Sequence, residues 1–386
     1  VSFNKRDTDK QNDNRREDSE DYRQLFLSDA PMLDLRAPVE FSQGSFTTAI
    51  NLPLMSDDER HQVGCCYKQQ GQQAAIKLGH QLVSGEVRQR RLASWIDFVK
   101  QHPQDGYLFC FRGGLRSQTV QSWLAEAGYH FPLVAGGYKS LRRFLIDSCE
   151  RLTETLPFYI LSGLTGSAKT PLLIEQNYHI DLEALANHRG SSFGRQVTPQ
   201  PTQVNFENQL SIYLLKLEAK GSPYLLLEDE SRLIGARSTP INFYQKMCQA
   251  PLILLNETQE YRVENILQEY VKGMHDKFCA SDSPDPFTDF SKYLLGALDK
   301  VKKRLGGEGH QKLRKLMEAA LAQQQKNQNS DLHRAWIGGL LGEYYDPMYR
   351  YQLQKKKHRI IFQGDRVEVR EYFRSLQKQA EHHYQF

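Results

Sequence analysis

The sequence predicts an α/β protein: an N-terminal parallel-sheet domain, a second α/β domain after it, and a helical C-terminal region. Three observations predict this. Short apolar runs of strand type alternate twice with helical stretches, each alternation carries a glycine-bearing loop directly after a strand, and 386 residues exceed the usual size of one domain.

The first 18 residues, "VSFNKRDTDKQNDNRRED", are too polar to fold alone and lack the apolar centre of a secretory signal, so a disordered tail is expected at 1–18. The first domain is expected over 19–150. In it, "MLDLRAPVEFSQGSFTTAINLPL" (32–54) starts with a strand, passes a charged turn and ends in a second strand, "AINLP". A helix near 72–101, a strand "GYLFCF" (106–111), a helix near 117–127 and a strand "PLVAGG" (132–137) follow. The second domain, 151–260, opens with "PFYILSGLTGSAKTPLLIEQ" (157–176). It adds "PYLLLEDES" (223–231) and "APLILLNE" (250–257), apolar runs of buried-strand type. Residues 261–386 read as helical, with apolar seams in "YLLGALDKVKKRLG" (293–306) and "HQKLRKLMEAALAQQ" (310–324).

Composition narrows the function classes. No apolar run approaches the roughly 18 residues needed to cross a bilayer, so a soluble protein without a membrane partner is expected. Six cysteines, irregularly spaced and without a C-x-x-C pair, speak against a disulfide framework and a zinc site and for the cytoplasm. A net charge of +4 permits a nucleic-acid partner without requiring one. The basic residues cluster in "YRYQLQKKKHR" (349–359), where Arg350, Lys355, Lys356, Lys357 and Arg359 interleave with tyrosines, beside Tyr344 and Tyr345.

"CFRGGLRS" (110–117) sets a thiol where a strand gives way to a glycine loop. Positive potential lowers a thiol pKa, and a helix N-terminus with arginines supplies it. Gly113 and Gly114 let the backbone curl so that several N–H groups face one point, Arg112 or Arg116 adds formal charge, and Ser117 can cap the next helix. Cys110 is then a candidate nucleophile. The spacing C-x5-R-S resembles cysteine phosphatases, whereas "DLRAPVEFSQGSFTTAINLP" (34–53) resembles the opening of the rhodanese fold, and that opening decides for rhodanese. The loop is one residue longer than in common rhodaneses, which suits a tetrahedral, phosphate-sized anion. Asp34, Arg36 and Glu40 resemble rhodanese residues that shape the loop rather than react.

"GLTGSAKT" (163–170) fits G-x-x-x-x-G-K-[ST] except at Ala168. Gly163, Thr165, Gly166, Ser167, Lys169 and Thr170 are the candidate diphosphate ligands, through backbone N–H groups and the Lys169 ammonium. Thr170 and Asp229 are candidate Mg²⁺ ligands, with Asp229 or Glu230 of "YLLLEDES" taking a metal-bound water. Ala168 is harmless there if its φ is negative. "LANHRGSSFGR" (185–195) adds Arg189 and Arg195 as candidate anion ligands.

The order of the two motifs, together with "DYRQLFLSDAPMLDLRAPVEF", "AINLPLMSDDERHQVGCCYKQQG", "DLEALANHRGSSFGR", "LEDESRLIG" and "GEYYDPMYRYQLQKK" (342–356), resembles the bacterial tRNA 2-selenouridine synthase family over nearly the whole chain. The resemblance implies a rhodanese-like domain and a P-loop NTPase-like domain. It also implies a tRNA-modifying transferase that geranylates wobble 2-thiouridine from geranyl diphosphate and then replaces the geranylthio group with selenium from selenophosphate. Both donors are co-substrates; no tightly bound cofactor is implied, and Mg²⁺ is compatible. tRNA is the implied partner, bound by the helical region and the basic run, and a selenophosphate-supplying enzyme fits beside it. Cys66 in "GCCYKQQG" matches a second family cysteine. Two rivals stand beside this reading: a rhodanese-type sulfurtransferase fused to a nucleotide-binding module, and a non-catalytic tRNA-binding adaptor.

Overall fold

A computed structural model describes residues 16–383, so most of the expected tail lies outside the described residues. Its last residues are tied down: the Leu133 N–H donates to Asp18 at 2.7 Å and the Ser19 N–H to the Leu133 carbonyl at 2.9 Å. The chain divides into two units, Val1–Asp147 and Ser148–Phe386.

The first unit is built on a three-stranded parallel sheet of order β2-β1-β3, with β1 at Met32–Asp34, β2 at Ala49–Asn51 and β3 at Tyr107–Phe109. Met32 is in register with both Ala49 and Tyr107. All three residues of β1 are buried, as a central strand covered on both faces requires. Trp95, Phe98, Val120 and Leu124 pack on Leu33, Leu35 and Leu108. The helix expected near 72–101 is two helices, Asp57–Leu82 and Gly85–Gln101. The first starts well upstream because Ser56 and Glu59 form a reciprocal capping box, and Gly71 (φ 81°) kinks it. "PLVAGG" makes only single bridges, Leu108 with Leu133 and Ser19 with Val134. Gly136 (φ 69°) and Gly137 (φ 59°) turn the chain into a helix, Gly137–Thr155, before a strand can lengthen.

The second unit holds a four-stranded parallel sheet of order β5-β4-β8-β9. Its strands are β4 (Phe158–Gly163), β5 (Leu225–Glu228), β8 (Leu252–Leu255) and β9 (Ile360–Gly364), and a two-stranded antiparallel ribbon pairs β6 (Leu233–Ile234) with β7 (Arg237–Ser238). Strand β9 corrects the expectation of a purely helical 261–386. It pairs with β8, and the helix after it, Arg366–His383, sets Val369 and Phe373 against Leu161, Leu172 and Ile253. Between β8 and β9 the chain is helical around its own core of Leu294, Leu313, Met317, Trp336 and Ile337. Phe193 of the 185–195 loop stacks on Trp336 at 5.8 Å.

One ion pair organises the end of β1. Asp34 and Arg36 are 0% and 2% exposed, with Arg36 Nη2 2.6 Å from Asp34 Oδ2. Arg36 also donates to the Gly44 carbonyl at 2.8 Å and lies over the Tyr138 ring at 3.7 Å, so the guanidinium ties three segments together. Arg36→Leu leaves the Asp34 carboxylate buried and unpaired, an expected loss of about 3–5 kcal/mol in the first unit. Urea unfolding followed by the fluorescence of Trp95 and Trp123 measures it; a loss under about 1 kcal/mol would show that the pair is replaceable.

Candidate anion-binding sites

Strand β4 delivers Gly163 to a loop that ends at the helix Lys169–Ile174. The carbonyls of this loop are taken. Arg262 Nη1 donates to the Thr165 carbonyl at 3.2 Å, and Arg366 donates to those of Ser167 and Ala168 at 2.6 and 3.2 Å. The structure has no cis peptide among the described residues, so each C=O opposes the next N–H across its peptide plane. Carbonyls drawn toward the arginines therefore turn the N–H groups of Gly166, Ala168 and Lys169 the other way, as an anion cradle needs. Lys169 Nζ donates to the Gly163 carbonyl at 3.3 Å. Gly166 (φ 82°) has no room for a side chain, since a Cβ would meet Ile266 Cδ1 at 2.7 Å. Ala168 has φ 51° and ψ 52°, so the negative φ that would make alanine harmless does not hold.

The carboxylates are arranged differently from the sequence expectation. Asp229 is not turned to Thr170; it accepts Lys356 Nζ at 2.7 Å and Ser162 Oγ at 2.8 Å. Glu228 occupies the place instead, because adjacent residues at a strand end face opposite ways. It is hydrogen-bonded to Thr170 beside Lys169, and its Oε1 is buried without a partner. Glu230 faces the same side and bonds Glu183, a residue the sequence analysis missed; nothing in one sequence marks a glutamate in a five-residue helix, Leu182–Ala186. Burial, then the Glu230 and Glu228 charges, pushes Glu183 up to about 10, and burial with Glu228 pushes Glu230 up to about 8. Burial also raises Glu228, against the pull of Lys169 and the Thr170 bond. At neutral pH Glu183 and Glu230 hold their protons, so these two acids beside the loop do not repel an anion. Among the described residues no cluster of three His, Cys, Asp or Glu is set for a metal.

In the first unit, Cys110 follows β3 and Gly114 caps the helix Leu115–Glu126, in place of Ser117, whose buried hydroxyl has no partner. Cys110 is 3% exposed and packs with the core, so the expected open mouth is closed in this conformation. The backbone packs tightly beside it: a Cβ on Gly137 would strike the Cys110 carbonyl and the Gly113 nitrogen. Arg116 lies beside Cys110 but donates to Glu40 at 2.7 Å, and Glu40 is also paired with Arg60. Arg112 is exposed over the Phe111 ring at 5.9 Å and is the cation left to an incoming anion. Cys66 is half-buried on the kinked helix, outside the core.

Other expected ligands divide. Arg189 pairs with Glu269 at 2.6 Å and lies over Tyr270, whereas Arg195 is exposed at the rim of a cavity. Arg350, Lys355 and Lys357 are exposed. Lys356 is committed to Asp229, and Arg359 to the carbonyls of Ala250 and Met247 at 2.8 and 2.7 Å, which corrects the expectation that both face a nucleic acid. Tyr344 and Tyr345 are 8% and 6% exposed within the helical core, so neither offers a stacking face.

Parallel sheets that each present a glycine loop after a strand define an α/β protein with two candidate anion-binding loops. Residues 156–380 match the family described as tRNA 2-selenouridine synthase AAA domain. The chain is 52% identical over 364 residues to the tRNA 2-selenouridine synthase of Pseudomonas syringae pv. syringae (strain B728a), covering 94% of this chain and 99% of that protein. It is 52% identical over 361 residues to the enzyme of that description from Marinobacter nauticus (strain ATCC 700491 / DSM 11845 / VT8), covering 93% and 98%. The chain belongs to the tRNA 2-selenouridine synthase family. No helix among the described residues is long and apolar enough to cross a membrane.

Left-handed backbone costs an alanine about 1–2 kcal/mol, partly offset by the chain entropy that glycine adds, so Ala168→Gly is expected to stabilise the second unit by about 1 kcal/mol. Calorimetry checks it, and a lowered melting temperature would refute the strain. The carboxyls give a pH dependence of known sign. Their folded pKa values lie above the ordinary 4.5, so the stability they confer is complete below about pH 4.5, falls as pH rises toward 8 and, for Glu183, is lost on approach to 10. Glu183→Gln should flatten the decline in melting temperature between pH 5 and 9; an unchanged slope would remove Glu183 as its source.

Proposed function

We propose that the chain is a tRNA 2-selenouridine synthase acting in two steps, with a rhodanese-like first unit and a P-loop NTPase-like second unit. In the first step the sulfur of wobble 2-thiouridine attacks C1 of geranyl diphosphate, the C1–O bond breaks and diphosphate departs. In the second the selenium of selenophosphate, delivered by a supplying enzyme, attacks C2 of the modified base, the C2–S bond breaks with loss of geranylthiol, and water cleaves the Se–P bond to release phosphate and leave 2-selenouridine. The observation that carries the first step is the 163–170 loop, whose arginine-tied carbonyls leave the Gly166, Ala168 and Lys169 N–H groups to hold a diphosphate. Lys169 leaves the Gly163 carbonyl for the bridging oxygens and neutralises the charge that develops on the leaving group. Thr170 and Glu228, rather than Asp229, would hold Mg²⁺, with Glu228 giving up the proton that burial favours, and the ion would supply further neutralisation of the diphosphate. No phosphoryl group is transferred, so the loop has only to bind and stabilise.

The Cys110 loop suits the tetrahedral selenophosphate anion, with the exposed Arg112 drawing it in and the turn Gly113–Gly114 opening to admit it. Arg350, Lys355 and Lys357 supply phosphate contacts for tRNA. Purified protein with 2-thiouridine tRNA and geranyl diphosphate, with and without selenophosphate, tests the reading by mass spectrometry of the nucleoside. The S-geranyl product is expected with geranyl diphosphate alone and 2-selenouridine with both donors. Lys169→Ala should abolish the first product; Cys110→Ser should keep it and lose selenation. Geranylation retained by Lys169→Ala would remove the 163–170 loop as the diphosphate site, and steady nucleotide hydrolysis without tRNA in place of either product would turn the assignment toward the sulfurtransferase alternative.

A further inference from the structure

A cavity of about 480 Å³ opens beside the diphosphate loop, bounded by the 188–200 segment, the turn between β6 and β7, and Lys300. Its lining includes His188, Arg195 and Lys300 and not one carboxylate. Arg195 and Lys300 are exposed, and among the described residues neither has a side-chain ion-pair partner. Two uncompensated cations on one concavity make a positive well. His188 adds a second, independent sign: its Nδ1 is buried without a hydrogen-bond partner, and Gly235 presses on the ring, where a Cβ would meet His188 Cδ2 at 2.7 Å. Burial, then the charge of Lys300, holds this imidazole below its ordinary pKa, so it is neutral at pH 7 and can offer an Nδ1–H to an acceptor. A polar atom without a partner, on a residue that lines a concavity with two unpaired cations, suits an anion with oxygen acceptors.

We infer that this cavity holds a backbone phosphate of single-stranded RNA, next to the nucleotide that undergoes modification; the inference deepens the proposed function and rests on it. Position favours RNA over a small diphosphate. The cavity wall at Gly190 is also the wall of the carboxyl cluster, since a Cβ there would meet Glu230 Oε2 at 2.7 Å and Glu183 Oε1 at 2.8 Å. The cavity thus shares its Gly190 wall with the acids that lie next to Lys169 of the diphosphate loop. The rim is open and its cations are exposed, as suits a strand passing across rather than a ligand swallowed whole. Leu233, 59% exposed on the same rim, gives a sugar or base an apolar contact. The volume matches a nucleotide-sized ligand.

The test uses the full chain and an anticodon stem-loop RNA carrying 2-thiouridine, with binding followed by fluorescence anisotropy over a series of KCl concentrations. For Arg195→Gln/Lys300→Gln the dissociation constant is expected to rise about tenfold or more, and the slope of log K against log salt to shrink by about 0.7, the value for one phosphate contact on a single strand. Equilibrium dialysis of geranyl diphosphate without RNA should be unchanged, which also shows that the double variant is folded. Unchanged RNA affinity and slope would overturn the inference, as would kept RNA binding with lost geranyl diphosphate binding, which would assign the cavity to the small diphosphate. A wild-type protein that modifies tRNA while the variant binds RNA equally well sinks this inference alone. A wild-type protein that binds no RNA sinks the proposed function with it.

Discussion

Two guanidinium groups holding peptide carbonyls are the contacts on which the second unit's chemistry depends. A peptide loop cannot present its N–H groups to an anion unless something accepts the burden of its carbonyls. Arg262 and Arg366 do that for Thr165, Ser167 and Ala168. Each arginine is in turn oriented by a carboxylate: Asp346, through two bonds of 2.7 Å, for Arg262 and Glu257, at 2.9 Å, for Arg366. The chain of dependence thus runs from Asp346 and the segment after β9 to the diphosphate cradle. The same arginine contacts help to hold Ala168 in a conformation it would not choose alone.

Charge around the loop is balanced on the same economical plan. Lys169 lies within reach of three glutamates, the buried Glu228 and the half-buried Glu183 and Glu230. Were all three ionised, the cradle would be net negative and would repel a diphosphate. Burial raises all three and keeps Glu183 and Glu230 protonated near neutrality, which leaves Lys169 and the amide dipoles a larger share of the field. Gly190 lets the 185–195 loop lie directly on Glu183 and Glu230, which shields them from water and keeps them neutral.

Both short motifs were legible because their chemistry is local: a thiol or an amide cradle needs glycines at fixed offsets after a strand, and the strands announce themselves as apolar runs. What the sequence hid is non-local. Glu228 and Asp229 are adjacent letters, and only the strand register decides which meets Thr170. The basic, tyrosine-rich run at 344–359 reads as a nucleic-acid surface, yet Lys356 and Arg359 are spent on Asp229 and on carbonyls, while Tyr344 and Tyr345 fill the helical core. Exposed and buried versions of that pattern look alike in one dimension. Strand β9 was missed for a related reason: "IIFQG" is short, follows the basic run, and becomes a strand only because β8 offers an unpaired edge.

The cysteine loop meets the same geometric demand by another device. There the carbonyls of Cys110 and Phe111 are taken by the N–H groups of Tyr138 and Lys139, at 2.9 and 3.0 Å, rather than by side chains. By the planarity of the peptide, the N–H groups of Phe111 and Arg112 then face away from that contact. Such a backbone-to-backbone clasp requires close approach, which is why Gly113, Gly136 and Gly137 all carry positive φ, and Gly113 and Gly137 sit where a Cβ would strike main-chain atoms. Close approach also buries the sulfur. A side-chain clasp leaves its cradle accessible and tolerates an alanine at a left-handed position; a backbone clasp is tighter, tolerates no side chain, and must loosen before Cys110 can meet a donor.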